Sequence, residues 1–145
     1  MQAEKAKISQ YGIYTDRAVN YEMVKDFGNV YIQDESSQLV VLDMDIEEGD
    51  TVLDLCAAPG GKTLFLSYLA GESGRIIAAD INRHRLESLA DSVLRYKKKN
   101  IEVRLQDSTV VRSEWVGKFK KVLIDSPCSA IGTLKRHPEV KWLKN

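Results

Sequence analysis

Long hydrophobic runs are missing from this 145-residue chain. No apolar stretch approaches the ~20 residues needed to cross a bilayer, so a membrane-spanning helix has no sequence to build it. The start, Met1-Gln2-Ala3-Glu4-Lys5-Ala6-Lys7, is polar and lacks the apolar core of a secretory signal. Cysteine is scarce. Cys56 and Cys128 stand in unlike settings, so no disulfide framework is implied and a reducing cytoplasm is the expected home. An excess of one charge is lacking too, since 21 Lys+Arg balance 21 Asp+Glu. That balance excludes a surface that is basic throughout. The charge is nevertheless uneven: residues 1–50 hold 4 basic and 11 acidic side chains (−7), residues 51–111 hold 9 and 7 (+2), and residues 112–145 hold 8 and 3 (+5). A polyanion would meet the last third, although an ordinary solvated face accounts for the same charges. No internal repeat or low-complexity segment is present. What remains is a hydrophobic content of 43%, ordinary for a globular protein, and a length that suggests one domain.

The most informative stretch is Asp54-Leu55-Cys56-Ala57-Ala58-Pro59-Gly60-Gly61-Lys62-Thr63. Thr51-Val52-Leu53 before it reads as a buried strand, and residues 64–70 after it read as a helix stopped by Gly71. Strand, glycine turn and helix together make a cradle for a nucleotide-like ligand. Gly60 and Gly61 let the backbone come close, and a helix start presents free N–H groups. A P-loop would explain Gly61-Lys62-Thr63, but the first glycine of that motif falls on Cys56. A dinucleotide- or adenosyl-type site needs an acid about 20 positions on, at the end of the next strand. Arg75-Ile76-Ile77-Ala78-Ala79-Asp80 supplies it in Asp80. An ordinary glycine turn in an α/β protein is the plainest alternative.

Residues 1–30 carry no strong period and read as a loosely ordered lead-in, with a short strand expected near Val30-Tyr31-Ile32. A helix capped by Asp34 or Ser36 should run to about Met44. Asn82 is a good N-cap for a helix carrying Leu86, Leu89 and Val93 to about Lys98, where Lys97-Lys98-Lys99 suits the helix dipole. Residues 101–105 alternate as a third strand, and residues 121–125 form a fourth. Strands alternating with helices imply a parallel sheet with its ligand at the carboxyl ends of the strands. Asp54, Asp80, Asp107 and Asp125 all fall at such ends. Asp107 is the one that most resembles a plain turn former.

Asp125-Ser126-Pro127-Cys128-Ser129-Ala130-Ile131-Gly132, an acid followed by Pro-Cys, resembles the cytosine-5 methyltransferases when it stands beside an adenosyl site. Ala130, residues 136–142 and the entry segment Tyr31-Ile32-Gln33-Asp34-Glu35-Ser36-Ser37 narrow the resemblance to the bacterial 16S ribosomal RNA cytosine-5 methyltransferases of the Sun/Fmu type, over roughly residues 30–145. The resemblance implies a Rossmann-like α/β fold, a parallel sheet with helices on both faces. It divides the chain into a lead-in over 1–30 and the N-terminal part of the catalytic domain over 31–145. It also implies S-adenosyl-L-methionine as cofactor and RNA as partner. Cys56, Ala57, Ala58, Pro59, Gly60, Gly61 and Lys62 would wrap the cofactor, Asp80 would bind its ribose, and Asp107 would lie near the adenine. Asp125 would border the cofactor and hold the cytosine near N3. Arg136, His137 and Lys141 would touch the RNA backbone, with a plain loop role equally open for His137.

The chemistry accounts for the cysteine. C5 of cytosine is a poor nucleophile until a thiolate adds to C6 and makes the ring enamine-like, which is covalent catalysis. RNA members of the family carry a second cysteine motif on the next strand, and that later cysteine is the usual nucleophile. Cys128 would then serve product release, although in the DNA enzymes the Pro-Cys cysteine is itself the nucleophile. The chain ends at Asn145 before such a strand. The expectation is therefore a fold truncated after the fourth core strand, a segment inactive alone, and possible self-association through the exposed fourth strand. A P-loop-like nucleotide-binding protein and a non-catalytic RNA-binding fragment are the competing readings.

Overall fold

The structure, a computed structural model, describes residues 2–24 and 30–127. Its centre is a four-stranded parallel sheet in the order β5-β4-β3-β6, formed by β3 (Thr51–Asp54), β4 (Arg75–Asp80), β5 (Ile101–Leu105) and β6 (Lys121–Leu123). The sheet takes its register from Leu53 opposite Ile77 and Val122, and from Ala78 opposite Val103. The buried runs that predicted β3 and β4 are the reason these two sit in the middle: Val52, Ile76, Ala78 and Ala79 are fully buried. The helix α2 (Glu35–Leu42) and the helix α3 (Gly61–Leu69) bury Val41 and Leu66 against Val52, Ile76 and Leu123. The helix α4 (Arg83–Arg95) lays Leu86 and Leu89 on Ala57 and Ala78. The arrangement is the Rossmann-like α/β fold expected from the sequence. No helix among the described residues is long and apolar enough to cross a membrane.

Four local expectations are corrected. Residues 30–34 join no ladder. The carbonyl of Val30 instead accepts a hydrogen bond from the Tyr96 hydroxyl at 2.7 Å, which draws the segment across α4. The strands ahead of the sheet are β1 (Ala3–Lys5) and β2 (Ile13–Thr15), an antiparallel hairpin followed by one helical turn, α1 (Tyr21–Val24). This hairpin is tied down. Glu35 accepts hydrogen bonds from the backbone N–H of Ile8 (2.7 Å) and Ser9 (2.8 Å) and from the Tyr14 hydroxyl. Tyr11 packs edge-on against Phe65 and Tyr68 of α3. Third, α4 stops at Arg95 because Lys97 adopts the left-handed region at φ 51°, so the lysine run lies beyond the helix.

The fourth strand forms a ladder over 121–123 rather than to 125, and β6 is the sheet edge among the described residues. Its start is anchored by Lys120, whose ammonium lies 2.8 Å from Asp50 and 2.5 Å from Glu47.

Candidate functional site

The turn after β3 is shaped by its glycines. Gly60 sits at φ 110°, and a Cβ there would come within 2.5 Å of Leu89 Cδ1; at Gly61 it would meet Tyr31 Cε1 at 2.9 Å. The glycines thus serve protein packing on both sides of the turn as well as any ligand above it. Gly60 caps α3, whose first N–H groups open towards the cleft. Pro59 follows Ala58 through a cis peptide bond.

Below the turn, Asp54 is 1% exposed, and its Oδ2 accepts a 2.8 Å hydrogen bond from Thr63 Oγ1. Burial pushes the Asp54 carboxyl up to about 6, against the opposing hydrogen bonds from Thr63 and the Cys56 backbone and the nearby Lys62 charge. This geometry removes the P-loop reading. Such a loop turns its Ser/Thr hydroxyl to a metal-bound phosphate, whereas Thr63 is fully buried on Asp54.

Asp80 is likewise held under the turn. Its Oδ2 accepts from the Ala58 N–H at 3.2 Å and its Oδ1 from the Asn82 N–H at 2.9 Å. Arg85 reaches over it, 3.5 Å from Oδ2, and also donates to the Ala58 carbonyl. Asn82 caps α4 as expected, accepting from the Arg85 N–H at 3.1 Å.

Above the turn lies a cleft of about 520 Å³, within the range of small-molecule sites. The stretch from Cys56 to Lys62 forms one wall, Asp125, Ser126 and Pro127 another, and Tyr31 and Arg85 its rim. Lys62 bridges the walls, with its Nζ 2.6 Å from Asp125 Oδ2 and 3.5 Å from Ser37 Oγ. The structure therefore brings Asp54, Cys56 to Lys62 and Asp125 into one cleft, with Asp80 covered beside it. Asp107 lies apart and shapes its own turn, accepting from Thr109 N–H (2.9 Å) and Thr109 Oγ1 (2.7 Å). Cys128, Arg136, His137 and Lys141 lie outside the described residues.

Sequence reasoning missed Arg85, Ser37 and the inward role of Thr63. Arg85 had a usable signal, since it stands three residues after the N-cap that follows Asp80 and so must sit over that strand end. Ser37 stood in the segment that narrows the resemblance, but its place beside Lys62 was not legible there, because it depends on how α2 packs on α3.

Residues 41–145 match the family described as 16S rRNA methyltransferase RsmB/F. The ribosomal RNA small subunit methyltransferase B of Enterobacter sp. (strain 638) is 40% identical over 119 residues, which make up 81% of this chain and 27% of that protein. A methyltransferase homolog protein from Pyrococcus horikoshii superposes with a TM-score of 0.74 at 28% identity, over 97% of this chain and 47% of that one. NSun6 from Pyrococcus horikoshii, crystallised with SFG, an S-adenosylmethionine analogue, gives 0.70 at 30% identity, over 79% and 30%. The chain thus spans under a third of the length of the curated relative.

Proposed function

The chain belongs to the 16S rRNA methyltransferase RsmB/F family, and from that premise we propose that it forms the cofactor-binding and cytosine-binding part of an S-adenosylmethionine-dependent rRNA cytosine-5 methyltransferase. The observation that carries this reading is the Lys62–Asp125 contact of 2.6 Å across the cleft. It joins the glycine turn, where a nucleoside-like ligand fits, to the acid that heads the Pro-Cys segment.

The residues fit the cofactor. Residues 56–62 offer a close backbone and unpaired helix N–H groups to its carboxylate end. Asp80 is the carboxylate for the ribose hydroxyls, which would take the place of Arg85 at Oδ2. Asp107, whose Oδ1 is committed to Thr109, would approach the adenine only through its other oxygen. The cofactor supplies an electrophilic methyl group. Asp125 would accept the N3–H of a protonated cytosine, and Lys62 would fix the orientation of its carboxylate. Cys128, directly after Pro127, would assist release of the methylated base. Arg136, His137 and Lys141 would contact RNA phosphates. A ribosomal substrate places the work in the cytoplasm. The β6 edge, with Val122 49% and Ile124 61% exposed, would let the isolated chain self-associate.

Calorimetry with S-adenosylhomocysteine tests the reading, with one site per chain expected. Binding of Mg-ATP with no response to S-adenosylhomocysteine would overturn it.

A further inference from the structure

A second cleft lies on the other side of Tyr31. It encloses about 440 Å³ and shares Tyr31, Gln33 and Gly61 with the first. Its walls are aromatic. On one side Tyr11, Phe65 and Tyr68 form a ring cluster, with centroids 5.2 to 6.5 Å apart. On the other, Tyr31 and Tyr96 lie 5.8 Å apart. Tyr68 is 58% and Tyr11 42% exposed, so these rings present faces rather than filling a core. The polar lining is two amides, Gln33 and Gln38. Gln38 Oε1 accepts from Ser9 Oγ. Among the described residues, neither the Gln33 amide nor the Gln38 –NH2 has a hydrogen-bond partner. At the mouth, Lys98 holds its ammonium 5.9 Å from the Tyr68 ring centre. Beyond Tyr68 and Tyr96 the surface continues into a groove of about 810 Å³, where Arg75 and Lys97, Lys98 and Lys99 outnumber Glu72 and Glu102.

Exposed ring faces, free amides and a lysine run are the parts of a single-stranded nucleic-acid site. Stacking takes any base, amides meet a base edge, and ammonium groups follow the phosphates. The left-handed turn at Lys97 breaks the helix before the lysines, so the run is not merely a dipole partner of α4. We propose that this aromatic cleft and its lysine groove hold an unpaired stretch of the RNA beside the target nucleotide, one base lying between the Tyr68 and Tyr96 sides. This rests on the RNA-methyltransferase reading above. It adds a contact surface on the α3 and α4 side of the sheet to the RNA contacts proposed for Arg136, His137 and Lys141.

The test uses the 145-residue chain and a labelled single-stranded oligoribonucleotide, read by fluorescence anisotropy at fixed low salt. Tyr68→Ala should weaken binding about 5- to 150-fold, the range for one lost stacking contact. Tyr68→Phe should bind like the unmodified chain, because the ring and not the hydroxyl is used. Lys98→Glu should weaken binding and flatten its salt dependence. S-adenosylhomocysteine binding, measured on the same samples, should be unchanged in all three. RNA affinity within twofold in Tyr68→Ala and Lys98→Glu, or no RNA binding by the unmodified chain, overturns the proposal. The cofactor reading survives in both cases if S-adenosylhomocysteine still binds. RNA affinity unaffected by Tyr68→Ala, together with a dimer in light scattering that this variant dissolves, would assign the cleft to a second copy of the chain and equally overturn the proposal.

Discussion

Lys62 and Thr63 are adjacent in the chain, and each engages a carboxylate at the end of a neighbouring strand. The two pairs have opposite character. Thr63 turns inward to Asp54, where both side chains are sealed from water. Lys62 turns into the cleft to Asp125, whose side chain is 52% exposed. The acids at the strand ends are therefore not equivalent. The oxygens of Asp54 and Asp80 are taken up by the turn itself, through Thr63, Ala58 N–H and Asn82 N–H, so these two hold its shape. Among the described residues Asp125 is held by a single flexible ammonium, and a ligand base can take over that contact.

The harshest way to break this contrast is to deform the turn that both pairs share. Gly60→Ala would strain a backbone at φ 110° and drive a methyl into Leu89. Each effect costs about 1–3 kcal/mol, so a loss of about 2–6 kcal/mol is expected in urea denaturation. A loss under about 1 kcal/mol would mean that Leu89 yields freely. Asp80→Ala comes next. It strips partners from two backbone N–H groups and from Arg85, which should cost about 2–3 kcal/mol. It should also weaken S-adenosylhomocysteine more than Cys56→Ala does, since a charge-assisted hydrogen bond contributes roughly 1.5–3 kcal/mol. Equal affinities in the two variants would remove Asp80 from the ribose.

The buried acid can be recognised by its pH dependence. Unfolded, Asp54 ionises near 3.8; folded, burial pushes it up to about 6. Between those values the folded state carries the extra proton, so stability falls as pH rises through that window. The loss is complete above it and amounts to about 3 kcal/mol at 1.36 kcal/mol per pH unit. Asp54→Asn cannot ionise, yet its amide oxygen can still accept from Thr63. The stability of this variant relative to the unmodified chain should rise by about 3 kcal/mol from pH 4 to pH 7.5. A gap that stays constant would show that Asp54 is hydrated in the folded state.

The same division between dry and wet explains what could be read from the sequence. The strands at 75–80 and 101–105 were legible to the residue for different reasons: the first is buried on both faces and so is written in apolar side chains, while the second, at the sheet edge, alternates apolar with charged ones. The Asp54–Thr63 stretch was legible as a turn because only glycine tolerates the space under Leu89 and beside Tyr31. Residues 2–24 were not. Their hairpin is fixed by long-range contacts with Glu35, Gln38, Phe65 and Tyr68, none of which leaves a period in the hairpin's own sequence. The cleft's inventory was partly legible: Asp54 and Asp80 close β3 and β4, whereas Asp107 and Asp125 lie two residues beyond the ends of β5 and β6, and which of the four face the ligand depends on side-chain direction. Asp107 shows the limit, since its position matched the pattern while its oxygen is committed to Thr109.

The smallest expected effect separates the two pairs most sharply. A double-mutant cycle of Lys62→Met with Asp125→Asn should give a coupling of about 0.2–1 kcal/mol, because the Asp125 carboxylate is half-exposed and both groups can be rehydrated when separated. That coupling is Coulombic, so it should shrink by half or more at 1 M salt, where the screening length is about 3 Å. The matching cycle of Asp54→Ala with Thr63→Val removes a hydrogen bond sealed from solvent, and a buried acceptor left without its donor costs about 1–3 kcal/mol. Salt cannot reach it, so its coupling should hold at 1 M. Urea denaturation at two ionic strengths measures both cycles. If the Lys62–Asp125 coupling resists salt as well as the Asp54–Thr63 coupling does, Asp125 is part of the fixed scaffold and is not free to exchange its lysine for a base.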